Sequence, residues 1–368
     1  MLCGESKREL KSMLRLFFLL LISSTSLFLS AQNQPPFRVV FWNTENFFDT
    51  RHDSLKNDRE FLPHSLRHWG YSRYKKKIDN VARTLAAVGE WNFPVLIGLC
   101  EVENDTVMRD LTLYSPLKEA DYRYVMTHSP DQRGIDVALL YQRDRFKLLT
   151  CSSIPVGNFE NHRPTRDILH VSGLLLTGDT LDVLVAHLPS RSGGARQSEP
   201  YRLFAAQKLK NAADSLMCVR RSAKLIIMGD FNDTPDDTSI REILDAHPIP
   251  NPCLSGSGSM PMKPRTNAYP SLLLYNLFAK NRSVPPGSHK YQGEWSQLDQ
   301  IILSSSLTDT TSQIQLIPGS ARIFSPSFLL IKDKTWRGER PFRTYYGFKY
   351  EGGYSDHLPL IVDFLLLK

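Results

Sequence analysis

The chain has 368 residues, 41% of them hydrophobic and 10% aromatic, which excludes disordered, collagen-like and low-complexity classes. Its net charge of +7 falls to +5 without residues 1–31, which hold four basic and two acidic side chains. So mild an excess suits an anionic ligand and excludes a dense nucleic-acid patch. Five cysteines, none in a C-x-x-C spacing, exclude a disulfide scaffold.

In chain order, Lys7, Arg8, Lys11 and Arg15 precede an apolar run at residues 16–22, and Ser30-Ala31-Gln32 follows. A basic segment, a short apolar segment and small residues at a cut predict a secretory signal peptide over residues 1–31. The uninterrupted run is far below the roughly 20 residues that a spanning helix needs. No cysteine stands at the cut to carry a lipid. A secreted or periplasmic protein without stable membrane insertion is therefore expected.

Residues 37–42 read as a β-strand ending at Asn43. Residues 75–91 carry Ile78, Val81, Leu85 and Val88 at helical spacing, and residues 95–100 form a second apolar strand closed by Cys100. Residues 122–127, 137–141, 168–176 and 181–186 are further strands. An amphipathic helix over 201–217 leads into a strand at 224–228. Residues 248–288, rich in Pro and Gly, read as loop with a short apolar segment at 272–278. Strands at 301–303 and 358–364 complete the set. This order predicts an α/β domain over residues 36–368, two packed sheets with helices outside. Spacing leaves open a single disulfide among Cys151, Cys218 and Cys253.

Polar residues stand where these apolar strands stop: Asn43 and Glu45, Glu101, Asp136, His187, Asp230 and Asn232, Asp299, then Asp356 and His357. Each alone reads as a turn or helix cap. Together they predict convergence on one sheet edge, where α/β proteins bind ligands.

The segments Phe41-Trp42-Asn43-Thr44-Glu45-Asn46, Gly98-Leu99-Cys100-Glu101-Val102-Glu103-Asn104 and Gly229-Asp230-Phe231-Asn232-Asp233 resemble motifs of the endonuclease/exonuclease/phosphatase family. Leu298-Asp299-Gln300-Ile301-Ile302 and Ser355-Asp356-His357-Leu358-Pro359 do so too, in the family's order. The resemblance implies a four-layer α/β sandwich, two packed mixed β-sheets flanked by helices, with the site at one rim. It also implies a phosphate-ester hydrolase dependent on Mg2+, or alternatively Mn2+.

Hydrolysis of such esters builds charge on phosphoryl and leaving oxygens, so positioning and electrostatics dominate. By resemblance, Glu101 and Asp356 lead the metal ligands, with Asn43 and Glu45 beside them. Asp230 and Asn232 orient the attacking water or ligate a second metal. Asp299 fixes the tautomer of His357, which acts as a base toward water or binds a phosphoryl oxygen. His187 matches a histidine of deoxyribonuclease I, sphingomyelinases and inositol phosphatases, where abasic-site endonucleases carry tyrosine. It is expected to serve the leaving group, oriented by Asp136. Arg166 and Arg191 are candidate phosphate clamps.

An extracytoplasmic endonuclease or related phosphodiesterase, acting as a monomer and with nucleic acid as a candidate substrate, is the leading reading. Glu103, two residues past Glu101, argues against a deoxyribonuclease I-like grip on DNA, because it would repel phosphates. The alternatives are a phosphatase of inositol or sugar phosphates, a sphingomyelinase-like phospholipid phosphodiesterase, and, more remotely, a non-catalytic binding module. Residues 269–278 are the one segment that could serve a sphingomyelinase as an apolar docking hairpin. Tyr291 and Trp295 read as loop anchors or as platforms for a base or sugar.

Overall fold

Phe37–Phe47 forms strand β1, eleven residues of which all but Asn46 are buried. It runs past Trp42 because its pairing breaks between Asn43 and Phe47, so the polar residues 43–46 remain part of the strand. A computed structural model describes residues 35–159, 163–220, 222–250, 273–280 and 283–367. The predicted signal segment, Cys253 and residues 269–272 lie outside these.

Helix α1, Tyr71–Gly89, presents Ile78, Val81, Leu85 and Val88 to the core as predicted. It begins four residues earlier than the periodicity suggested. Strand β2, Leu96–Val102, and helix α2, Asp105–Leu113, follow, the latter capped by Asn104 accepting from the Val107 amide. Next come β3 (Arg123–Met126), β4 (Asp136–Tyr141), β5 (Phe146–Ile154), β6 (Ile168–Leu175) and β7 (Thr180–His187). Strand β5 escaped the sequence because most of it is exposed and shows no alternation. Helix α3, Ala195–Val219, precedes β8, Lys224–Asp230. The later strands of the two main sheets are β9 (Ala246–Pro248) and β10 (Leu274–Asn276), then, beyond a ribbon, Asp299–Ser304, Ile314–Leu316, Arg322–Ile323 and Leu360–Leu366.

The ribbon comprises β11 (His289–Tyr291) and β12 (Glu294–Ser296), which makes Asp299–Ser304 β13, Ile314–Leu316 β14 and Arg322–Ile323 β15. Two further ribbons pair β16 (Leu330–Lys332) with β17 (Glu339–Pro341) and β18 (Tyr345–Tyr346) with β19 (Lys349–Tyr350). Leu360–Leu366 is β20. One sheet has the order β14-β20-β1-β2-β4-β3 with β15 on β20, and the other β5-β6-β7-β8-β13-β10-β9.

Period-two alternation holds the layers together. Val183, Val185, Ile226, Met228, Ile301 and Leu303 share one core with β1 and β2. Their neighbours Leu184, Ala186, Leu225, Ile227 and Ile302 face Ala205, Leu209 and Ala213 of α3 on the other side. Both faces of β7, β8 and β13 are thus buried, and the fold is the expected α/β sandwich of two mixed sheets. Phe37–Lys368 forms one compact unit. Among the described residues no helix is long and apolar enough to cross a membrane. Cys100, Cys151 and Cys218 are free thiols.

Candidate active site

Strands of both directions deliver polar groups to one edge. β1 and β2 are parallel, as are β7 and β8, and their C-terminal ends carry Asn43, Glu101, His187 and Asp230. β4, β13 and β20 run antiparallel to these, so Asp136 and Asp299 open their strands, and Asp356 and His357 precede theirs. The expected row of strand ends is therefore a mixture of ends and beginnings. Register fixes the result: His187 lies opposite Asp230 in β8, and Asp230 opposite Asp299 in β13. Glu45, Asn46, Glu101 and Asn232 hold positive φ of 52°, 60° for Glu101, and 49° and 51° for the two amides. Such backbone is costly for these residue types and concentrates at functional sites.

One group of side chains centres on Asp230. Its Oδ2 accepts from Asn43 Nδ2 at 2.9 Å and lies 3.7 Å from His187 Nε2 and 3.8 Å from His357 Nε2. Glu101 Oε1 stands 4.0 Å from His187 Nε2, and Glu101 Oε2 accepts from the Asn46 amide at 2.7 Å. His357 Nδ1 meets Asp299 Oδ2 at 2.7 Å, as the motif implied. Ser288 also donates to that oxygen. The Asn232 amide donates to Asp230 Oδ1 at 2.9 Å, while its side chain donates to the Leu188 carbonyl.

A second group surrounds Glu45 and Asp356. Arg343 donates to Asp356 Oδ2 at 2.7 Å and to Glu45 Oε1 at 3.3 Å, and the Thr344 amide donates to Glu45 Oε2 at 2.7 Å. Lys77, reaching from α1, donates to Thr344 Oγ1 and the Tyr354 carbonyl. His289 lies 4.0 Å from Asp356 Oδ2, its ring 4.6 Å from that of His357. Asp230, Asp299 and His357 form one trio with ligand atoms within 4.8 Å, and His289, Asp356 and His357 another.

The environment separates the histidines. Burial opposes charge on His357, but Asp299 and Asp230 outweigh it and hold His357 well above its ordinary value. Burial drives His187 well below its own, with Arg166, Arg133 and His357 adding to the effect. Burial also pushes Asp230 up to about 7, with Asp299 assisting and His357 opposing. It lowers Lys77 to about 8 against the pull of Glu45 and Asp356.

Four expectations are corrected. Asp136 does not orient His187: its Oδ1 accepts from Thr127 Oγ1 at 2.6 Å and the Ser129 amide, and His187 Nδ1 has no partner among the described residues. Arg191 is spent on the Asn232 carbonyl (2.6 Å), Asp237 (2.7 Å) and Asp233, so it braces the loop after β8 rather than clamping phosphate. Arg166 is buried and donates to Asp131 and the Leu188 carbonyl, bracing the loop after β7. Glu103 likewise turns inward to accept from the Asp49 amide at 2.6 Å, and burial pushes it up to about 8. The expected repulsion of DNA phosphates by Glu103 is thereby removed. Trp295 packs against the core as an anchor, while Tyr291 is exposed.

The donor set fits a hard divalent cation. Five carboxylates, those of Glu45, Glu101, Asp230, Asp299 and Asp356, outnumber the basic side chains among them, Lys77, Arg343 and His357, by a formal excess of two. Oxygen donors with that excess are what magnesium or manganese binds. Glu101 and Asn43 lie in the Asp230 group and Glu45 and Asp356 in the Arg343 group, so the four expected ligands occupy two adjoining clusters.

The model of the endonuclease/exonuclease/phosphatase family matches residues 38–365. No curated protein matches the sequence. Among solved structures, the human Nocturnin catalytic domain is 18% identical with a TM-score of 0.51, covering 90% of this chain and 95% of its own. An endonuclease/exonuclease/phosphatase from Bacteroides vulgatus is 13% identical, TM-score 0.54, covering 90% and 100%. A mannosyl-6-phosphatase of Bacteroides thetaiotaomicron is likewise 13% identical, TM-score 0.54, covering 89% and 99%. At these identities the likeness is one of fold.

Proposed function

We propose, from the premise that the chain belongs to the endonuclease/exonuclease/phosphatase family of phosphoester hydrolases, that it is an exported, magnesium-dependent phosphodiesterase, foremost an endonuclease. Export rests on the basic and apolar segments of residues 7–22. The observation that carries the activity is Asp230 Oδ2, flanked by the Nε2 atoms of His187 and His357 beside Glu101.

When bound, a divalent cation would supply positive charge that offsets the negative charge growing in the transition state. Glu101, Asn43, Glu45 and Asp356 are the residues that would hold it. Asp230 accepts a proton from a water lying between its Oδ2 and the phosphorus, and the Asn232 amide at Oδ1 fixes the carboxylate plane. His357, oriented by Asp299, donates from Nε2 to a phosphoryl oxygen, where transition-state charge grows. His187 Nε2 faces the same centre and serves a second oxygen.

The test is an assay of the mature chain with magnesium on supercoiled plasmid, RNA, bis(p-nitrophenyl) phosphate and p-nitrophenyl phosphate. Nicking of the plasmid and hydrolysis of the diester, both abolished by EDTA, are expected. Hydrolysis confined to the monoester would replace this reading by a phosphatase; full turnover in chelator would remove the metal.

A further inference from the structure

Three β-ribbons stand outside the two main sheets: β11–β12, β16–β17 and β18–β19. Their turns line a cleft of about 350 Å³, which Arg343 and Asp356 also line. That volume falls in the lower part of the range of small-molecule sites, roughly 300–1,000 Å³. Through Arg343 and Asp356 the cleft adjoins the second carboxylate group of the candidate site.

Its walls carry three large aromatic side chains, Tyr291, Trp336 and Tyr346, which are 67%, 45% and 38% exposed. The Trp336 wall is rigidly built. The buried Lys290 ammonium donates to Asp333 Oδ2 and to the carbonyls of Arg337 and Glu339, at 3.2, 2.8 and 3.0 Å. Asp333 Oδ1 in turn accepts from the amides of Thr335 and Trp336, at 3.0 and 2.9 Å. Gly293, at φ +89°, leaves the space that the indole occupies; a Cβ there would stand 3.2 Å from the ring. A tryptophan fixed this firmly yet half exposed costs little further ordering when something stacks on it.

The charges of the cleft are already paired. Lys290 is matched by Asp333, Arg340 by Glu351 at 2.8 Å, and Arg343 by Asp356 and Glu45. A second phosphate would have to break one of these pairs. Arg340 covers the ring of Tyr346, so Tyr291, Trp336 and the polar edges of Gln292 and Thr335 remain for an uncharged ring.

We infer that this cleft is a specificity subsite that stacks a neutral ring of the esterified group, a sugar or a nucleobase, against Trp336 while its phosphate sits at the reaction centre. The inference rests on the phosphoester reading of that centre, and its test separates the two. Free thymidine and methyl α-mannopyranoside are titrated, without magnesium, into the wild type, Trp336→Ala and the solvent-exposed Tyr291→Ala, with binding read by NMR line broadening. Saturable binding of at least one ring, weakened roughly ten-fold in Trp336→Ala, is expected; which ring binds identifies the source. In parallel, kcat/KM is measured on p-nitrophenyl thymidine 5′-phosphate and on methyl p-nitrophenyl phosphate, which share a leaving group. Where thymidine binds, both variants should lose roughly ten-fold on the first and nothing on the second; where only the mannoside binds, its 6-(p-nitrophenyl phosphate) ester takes the place of the first. Equal losses on both esters, or binding of neither ring to the wild type, overturn the subsite. Ring binding that depends on Trp336, without hydrolysis of either ester, would overturn the phosphodiesterase reading and leave the subsite standing.

Discussion

Arg343 Nη2 donates to Asp356 Oδ2 at 2.7 Å while its Nε reaches Glu45 at 3.3 Å. One guanidinium thus holds apart two carboxylates that the motifs give to the metal. Burial of Glu45 and repulsion by Asp356 raise its pKa, which Lys77 and Arg343 oppose. Without a cation, Arg343 carries much of the neutralisation.

Arg343→Met should therefore lose about 1–3 kcal/mol of stability in chelator. Millimolar magnesium should recover most of that loss by restoring positive charge beside Glu45 and Asp356. Urea unfolding in EDTA and in magnesium measures both. Equal losses in the two buffers would mean that the ion does not share these carboxylates.

Asp299 and His357 should behave as one unit, given the 2.7 Å contact at Nδ1. His357→Ala and Asp299→Ala are each expected to lower kcat by roughly 10²-fold or more. The double variant should fall no further than the worse single one, as for residues that act together. Multiplying losses in the steady-state cycle would show that Asp299 acts elsewhere, for instance through Ser288.

Gly229 sits between Ile227–Met228 and Asp230, and a Cβ on it would stand 2.3 Å from the carbonyl oxygen of Ala186 in the neighbouring strand. Backbone atoms cannot yield as a flexible side chain can, so Gly229→Ala must part β7 from β8. A stability loss of about 1–3 kcal/mol is expected, with loss of activity because His187 and Asp230 are register partners across that seam. Thermal unfolding and the plasmid assay test it. Unchanged stability with normal nicking would refute the close approach.

Asp182 supplies a pH dependence far from the reaction centre. Burial pushes its carboxyl up, but hydrogen bonds from His170 (3.0 Å), Ser172 and Arg220 (3.2 Å) outweigh burial and hold it below the ordinary 3.8. A depressed folded-state pKa contributes stability above the unfolded value, and that contribution fades as pH falls through the folded one. Asp182→Asn should thus be less stable than the wild type at neutral pH, by about 1–3 kcal/mol. The gap should close below pH 3.8. Urea midpoints for both proteins across that range would expose a constant gap if the carboxylate were not responsible.

The sandwich was legible because the central strands of the second sheet, β7, β8 and β13, are buried on both faces, so their apolar runs stand out. The reaction centre was legible at the edges of those runs, where Asn43, Glu101, Asp230 and His357 interrupt them. Arg343 and His289 were not assigned, since His289 lies in a short ribbon and Arg343 in the link between two others, without period or long apolar run. Lys77 left a signal that was available: Lys77, Asn80 and Thr84 form a buried polar stripe beside the apolar face of α1. A lysine on a packed helix face asks for carboxylates to meet it. Asp136, Arg166 and Arg191 have partners other than those expected, because motif position reveals a residue's neighbourhood and not which of its neighbours takes its hydrogen bonds.

The placement of the ribbons has a consequence for descent. Bond-breaking groups ride on strands whose every neighbour is packed, where substitutions are punished. The cleft beside them is built from turns, which accept insertions and exchanges at little cost to the scaffold. Preference for one ester over another can therefore drift under selection while the hydrolytic machinery stays fixed. By the same reasoning, grafting the turn around Trp336 onto another member of this family should transplant ring preference without rebuilding its chemistry.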